Sequence, residues 1–242
     1  MSRTPSAQHS IEAALVTAIF DEEFNGLSIE DSCLRLNSIA AAVSGLVSLQ
    51  VATSSDELVS VQCLSIISQE IDRLMDAYER VLEVSVKEIV ERYILSEYSS
   101  ILHDVFFAAS GNIIEVVYQS KYTIDGGDME RRAASNELMQ ATSVLIDEKS
   151  IFYNIIRPHI SFPVHHELLR VLAMGIGETI ISLILKANFT EWGSMLLHQE
   201  VIGTVDCVEQ EAASVDTTVR PWFAKLLWAL KVLTLDQVRI LY

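Results

Sequence analysis

From Leu64 to Tyr93 apolar residues return every three or four positions: Leu64, Ile67, Ile71, Leu74, Tyr78, Val81, Leu82 and Ile89. That step is the period of a helix with one greasy face. The charged residues of the segment, Asp72, Arg73, Asp76, Glu79, Arg80, Lys87, Glu88, Glu91 and Arg92, fall mostly on the other side. A long amphipathic member of a bundle is therefore expected. Nine glycines and four prolines in 242 residues leave few breakers, and half the residues are hydrophobic. Such a chain favours helices joined by short connections, and it is long enough to bury a core.

The same reading extends along the chain. Residues 1–9 read as a disordered lead. Ser10 caps an expected helix to about Phe24 with Ile11, Leu15 and Ile19 on one side, and Gly26 ends it. Ser28 with Asp31 opens a second, in which Leu36, Ile39, Val43, Leu46 and Val47 recur. Ser54 with Glu57 has capping-box spacing for the long third helix. A fourth is expected over about Glu97 to Gln119, loosened at Gly111-Asn112. Asp125-Gly126-Gly127-Asp128 is the clearest loop signal, and Met129 to Ile156 reads as a helix with Leu138, Thr142, Leu145 and Phe152 inward.

Pro158 and Pro163 mark a boundary at 157–163, since each ring removes a donor and disfavours helix before it. This divides an N-terminal helical bundle, 10–156, from a C-terminal one, 164–242. Val164 to Asn188 is expected to be the central, most buried helix of the latter. Its apolar run, Leu168 to Leu185, is interrupted by Arg170, Gly175, Gly177 and Glu178, which suits a buried helix better than a membrane span.

The last stretch, Lys186 to Tyr242, holds Trp192, Trp222 and Trp228. Leu196, Val201, Val205 and Val208 share one helical face, and Phe223, Leu226, Leu227 and Leu230 share another. Pro221 suits a first helical turn, with Asp216, Thr217 and Thr218 as caps. Thr234-Leu235-Asp236-Gln237 reads as a capping box that restarts a helix after a break near Leu233.

The set Lys186, Phe189, Gly193 and Glu200, followed by V-R-P-W-F-A-K-L and V-L-T-L-D-Q-V, resembles the C-terminal region of subunit four of the conserved oligomeric Golgi (COG) complex. The likeness covers about a quarter of the chain. Upstream, Ile124-Asp125-Gly126-Gly127 and Arg157-Pro158-His159-Ile160 fall where that family has a glycine-bearing loop and a proline turn. The resemblance implies an all-α fold, an elongated stack of antiparallel helical bundles of the tethering-complex rod type. It implies a scaffold subunit, without enzymatic activity or cofactor, that serves vesicle tethering in intra-Golgi and retrograde transport. Its partners would be other tethering-complex subunits and SNARE machinery, and its place the cytosolic face of Golgi membranes. Arg220 matches an arginine of a surface patch in that family and is the candidate partner-binding residue. Another helical tether such as the exocyst, or a general helical adaptor, is the alternative.

Composition narrows the classes independently. A net charge of −16, from 33 acidic and 17 basic residues, argues against nucleic acid or an anionic lipid surface as main partner. Arg220, Lys225, Lys231 and Arg239 outnumber Asp236 near the end, a small basic patch on an acidic body. Cys33, Cys63 and Cys207 are sparse and far apart, as buried thiols in a reducing compartment would be. No secretory signal is expected in the polar stretch Met1–Ser10, and no transmembrane insertion.

Chemistry is hard to place. His159, His165, His166 and Glu167 cluster at the proline turn, and a helical metal-dependent enzyme using them is the remaining alternative. Neighbouring His165 and His166 would project about 100° apart on a helix, whereas two ligands on one face need a spacing of about four. Asp21-Glu22-Glu23 and Asp147-Glu148 lack the differing environments that an acid/base pair needs. Gly126-Gly127 and Gly175-x-Gly177 lack phosphate-loop context, and read as a flexible loop and a close helix contact. The tryptophans read first as core and second as partner anchors.

Overall fold

The computed structural model describes residues 28–54, 61–110, 117–147 and 150–239. The expectations for residues 1–27 and for the Ser54–Glu57 capping box lie outside that set. The fold is all-α: α1 (Ile29–Ser54), α2 (Val61–Val90), a π turn (Glu91–Leu95) and α3 (Ser96–Phe106) open the chain. A short antiparallel pair follows, β1 (Phe107–Ser110) with β2 (Val117–Ser120). Then come α4 (Gly126–Ala133), α5 (Glu137–Ile146), a second π turn (Phe152–Ile156), α6 (Arg157–His159), α7 (Phe162–Ile184), α8 (Glu191–Ala213), a 3₁₀ turn (Arg220–Phe223) and α9 (Ala224–Arg239).

The described residues make two compact units, one of those up to Ile89 with Ile155–Glu167, the other of those in Val90–Asn154 and from Leu168 on. The stretch 157–163 lies within the first unit.

In the first unit Ser28 caps α1, its Oγ accepting from the Asp31 N–H at 3.1 Å and donating to the Asp31 carboxylate at 3.0 Å. Cys33, Leu36, Ile39 and Ala40 of α1 are buried. Val47 is exposed, so the apolar stripe read from sequence is covered only along its first half. By length and composition α1 alone among the described helices could cross a membrane, with a mean hydropathy of 1.4. In α2 the inward face is Ile71, Ala77, Val81, Ser85, Val86 and Ile89, while Ile67 and Leu74 are exposed. The proline turn is real but small: α6 ends at His159, the backbone is extended at Ile160, and α7 begins at Phe162. Asn37 bridges it, donating to the His159 carbonyl at 2.7 Å and accepting from the Ser161 N–H at 2.7 Å. One amide thus satisfies both backbone groups that the break orphans.

The second unit is organised around α8, against which α4, α5 and α9 pack. Leu196, Leu197, Val201, Val205 and Val208 are fully buried there, as the spacing requires. The helix expected to be central, α7, buries Leu168, Leu169, Leu172, Ala173, Ile176 and Ile180, but it is α8 that collects the neighbours. Gly175 allows close approach, since a Cβ there would lie 2.2 Å from Leu95 Cδ1. Leu138, Thr142, Leu145 and Phe152 all face inward, and Thr142 shares a 2.7 Å hydrogen bond with buried Tyr98.

Four expectations are corrected. The helix over Glu97–Gln119 ends at Phe106, and Phe107–Ser110 pairs with Val117–Ser120 instead. Val117 and Tyr118 of β2 and Phe107 of β1 are of the β-branched and aromatic kinds that favour extended pairing over helix. Asp125-Gly126-Gly127-Asp128 is a helix start, because the Asp125 carboxylate accepts from the Gly127 N–H at 3.0 Å and the Asp128 N–H at 3.2 Å. The expected helix Met129–Ile156 is broken at Asn136, which takes the left-handed conformation (φ 46) that asparagine tolerates. Finally, α9 runs through Leu233 unbroken, and Thr234 turns its hydroxyl back to the Leu230 carbonyl at 2.9 Å. Thr234 therefore starts nothing.

Candidate functional site

The spaced set that carries the resemblance comes together around one residue that the sequence reading missed, Tyr122. It follows β2, and its ring is buried against Phe106 at 5.0 Å and Phe189 at 5.7 Å between centroids. Its hydroxyl donates to Glu200 Oε2 at 2.7 Å. Its carbonyl lies against Gly193, where an added Cβ would fall 1.6 Å from the oxygen. Three of the four set residues, Phe189, Gly193 and Glu200, thus clasp Tyr122, and Lys186 is exposed elsewhere.

Thr190 completes the clasp. Its N–H donates to the Tyr122 carbonyl at 3.2 Å, and its Oγ accepts from the Gly193 N–H at 3.2 Å as the cap of α8. The same hydroxyl accepts from the Ile124 N–H at 3.2 Å and donates to the Ile124 carbonyl at 2.6 Å. One side chain therefore starts a helix and pins a strand exit to it. Thr190→Ala is expected to cost about 1–2 kcal/mol, as the loss of a helix cap does. Thr190→Ser should recover most of that in urea unfolding; an alanine variant as stable as the native chain would contradict the clasp.

Glu200 is the most unusual carboxylate, because it is buried. Burial raises its pKa. The Tyr122 hydroxyl opposes the rise, the Glu137 charge adds to it, and Arg132 with the Glu137 backbone N–H opposes. The net direction is upward. Tyr122 is held well above its usual pKa, first by burial and then by Glu200, so its O–H stays a donor. Arg132 lies over the Tyr122 ring at 6.0 Å and hydrogen-bonds the Lys121 carbonyl. Tyr122, Glu200 and Arg132 thus form one connected set, part of it buried, between the strand exit and α8.

Arg220, the sequence-predicted contact residue, sits where the chain leaves α8 and turns into α9. Asp216 occupies the left-handed region there (φ 51). The residues proposed as caps act differently: the Glu209 carboxylate reaches forward from α8 to accept from Thr218 Oγ1 at 2.7 Å and from the Val219 N–H at 2.8 Å. Burial alone would raise the pKa of Glu209. The bonds from Thr218, Val219 and the Arg220 backbone, with the Arg220 charge, pull it below the usual range instead. Arg220 Nη2 also meets Asp206 Oδ1 at 2.5 Å, with both side chains about half exposed. Its guanidinium is thus aimed along α8 and still open to solvent on one side.

The other sequence candidates separate. His165 is buried, and burial with the charge of Arg157 pushes its pKa down to about 4; His166 is exposed. His159 Nδ1 lies 2.6 Å from the Ile155 carbonyl. Among the described residues no three His, Cys, Asp or Glu side chains are placed to hold a metal ion. Of the cysteines, Cys33 is buried but Cys63 is exposed, against the expectation of buried thiols. Of the tryptophans, Trp222 is half-buried, while Trp192, whose indole lies against Gly126, is exposed and not core as expected. Trp228 is 68% exposed, so it is no core residue. Compared with known families and curated proteins, the chain matches none.

Proposed function

We propose that this chain is a non-enzymatic scaffold subunit of a Golgi vesicle-tethering complex, a member of the rod-like stack of antiparallel bundles that the COG resemblance implies. The observation that carries the reading is the Tyr122 clasp. Phe189, Gly193 and Glu200, three of the four spaced residues that suggested the family, hold one helix start against one strand exit. Spacing of that kind is kept by packing, which is how a helical rod would keep it. The chain would act in intra-Golgi and retrograde transport from the cytosolic side, holding other tether subunits and SNARE machinery by burial of helical faces and charge complementarity. No cofactor enters this mechanism.

Arg220 is the assigned contact. Its pair with Asp206 is half exposed, and such pairs contribute at most about 1 kcal/mol. Arg220→Ala should therefore leave the fold intact. Affinity purification of the tagged chain from its own cells should recover Golgi tether subunits, and Arg220→Ala should reduce that recovery several-fold. Exocyst subunits without Golgi tethers would replace this reading with the alternative tether. Unchanged recovery by the variant would remove Arg220 from the contact.

A further inference from the structure

Both π turns of the second unit line one cavity. Tyr93 and Ile94 come from the first, Glu91–Leu95, and Phe152 from the second, Phe152–Ile156. A π turn inserts one residue into a helix, and such insertions are frequent at functional sites. Helices α3 and α5, which pack against each other, supply further walls with Glu97, Ile101, Val144 and Leu145. The space is about 320 Å³, within the range of pockets that hold small organic molecules. Ile94, Leu145 and Phe152 are buried and Val144 is 56% exposed, so the walls run from the core out to solvent.

The charge on this lining is of one sign. Glu97 and Asp147 carry the only charges among the lining residues. Among the described residues neither carboxylate meets a cation, and the Tyr93 hydroxyl makes no hydrogen bond. Arg92, whose guanidinium lies over the Tyr93 ring at 5.8 Å, is outside the lining. Ile94, Glu97 and Ile101 follow at steps of three and four, so one acid shares a helical face with two apolar side chains.

That combination selects its occupant. An anion is repelled by both carboxylates, and a neutral apolar molecule would strip them of water and put nothing in its place. A hard metal ion needs more oxygens than two acids among apolar walls provide, and no three metal-ligating side chains are placed together among the described residues. An amine satisfies both halves of the surface: its ammonium pairs with carboxylate, and its hydrocarbon body replaces water against Ile101 and Phe152. The net charge of −16 draws cations towards the chain in the first place.

We propose that this cavity binds a small organic amine, its ammonium group paired with Glu97 and Asp147 and its apolar body lodged along Ile94, Ile101, Leu145 and Phe152. Tyr93 adds a hydroxyl that can accept from the ammonium and an aromatic face that favours a cation. The site stands apart from the scaffold reading, and holds whether or not the chain belongs to a tether.

Calorimetric titration of the full chain with phenylpropylamine tests this, with phenylpropanol, phenylpropionate and butylamine as companions. The amine should bind saturably, one per chain, and at least about tenfold tighter than the alcohol of the same body. Phenylpropionate should not bind. Butylamine has the charge but little of the body, and should bind at least about tenfold more weakly than phenylpropylamine. Glu97→Gln with Asp147→Asn should bring the amine down to the level of the alcohol. Val144 is exposed, so Val144→Trp leaves the core alone and should block the amine by filling the mouth. Circular dichroism and urea unfolding establish that both variants fold. Butylamine binding as tightly as phenylpropylamine would mean only a counter-ion on an acidic surface, and would overturn the proposal. So would an alcohol that binds as well as the amine, amine binding that survives either variant unchanged, or no saturable binding at all. A lysine-bearing helical peptide that binds this cavity more tightly than the free amine would also overturn it, since the site would then belong to a partner protein.

Discussion

Replacing Gly193 by alanine is expected to destabilise the second unit by about 3 kcal/mol, the upper end of what overpacking costs. In an ordinary helix the change would help by about 1 kcal/mol, because alanine loses less backbone entropy than glycine. Here the added Cβ would lie 1.6 Å from the Tyr122 carbonyl oxygen and 2.6 Å from its carbon, both of them backbone atoms. No side chain can swing aside to relieve that contact. Either α8 or the strand exit must move, and with it go the Thr190 bonds to Tyr122 and Ile124. Gly203 on the same helix is the control, since a Cβ there would meet the Asn136 and Met139 side chains at 3.4 Å. Gly203→Ala should be neutral to within about 1 kcal/mol. Urea unfolding of both variants gives the comparison, and a Gly193→Ala protein as stable as the native one would show that the close approach does not exist.

The second large effect is expected at the other end of the same residue. Tyr122→Phe removes the hydroxyl and leaves the buried Glu200 carboxylate without that donor, at a cost of about 2–3 kcal/mol. Glu200→Leu leaves the Tyr122 hydroxyl unsatisfied and should cost a similar amount. The double variant should be more stable than the two losses added together, by at least about 1 kcal/mol, because nothing polar is then stranded. Additive losses would mean that the two groups do not act on each other.

Glu200→Gln should behave differently, since the amide keeps an acceptor for Tyr122 and carries no charge. The native pKa of Glu200 is raised, chiefly by burial, so between the unfolded value of about 4.3 and the raised native one the folded chain binds the extra proton. Stability from this group is therefore highest below that window. It is lost as pH rises through it, and stays lower at neutral pH. Glutamine has no such loss, so the stability of Glu200→Gln relative to the native chain should improve from pH 4 to pH 7. A relative stability that worsens with pH would reverse the assigned direction.

What the sequence makes legible here is local and periodic. Leu196, Val201, Val205 and Val208 on α8, Phe223 of the 3₁₀ turn and Leu226 and Leu230 of α9 are buried as their spacing requires, and Leu227 is half-buried. Helical period alone places them, with no knowledge of partners. The Ser28 cap is read correctly for the same reason, because its bond to Asp31 spans three residues. Asp125 uses the same chemistry but is hidden by Gly126-Gly127, whose loop signal is stronger than the capping signal beside it. The strand pair cannot be read from period, since each strand has four residues. The π turn at Glu91–Leu95 inserts its extra residue without any breaker, so the helix continues from α2 into α3 where a new start was expected.

The clasp is the instructive case. Phe189, Gly193 and Glu200 stand out as a spaced set, yet nothing local says what they share. The answer, Tyr122, is 78 residues from Glu200 and 66 residues separate Ile124 from Thr190. Long-range pairing leaves no periodic trace in one sequence. Arg220 lies at the opposite extreme: its internal partners, Asp206 and Glu209, are within one helix and turn, while its proposed contact is on another protein.

The most direct measurement of the scaffold account is acute depletion of the chain in its own cells, followed by imaging of Golgi-resident glycosyltransferases and of secretory cargo. The account predicts that the glycosyltransferases leave the Golgi and collect in small untethered vesicles, and that the native chain restores them. Glycosyltransferases that stay in place while secretory vesicles accumulate beneath the plasma membrane would contradict it.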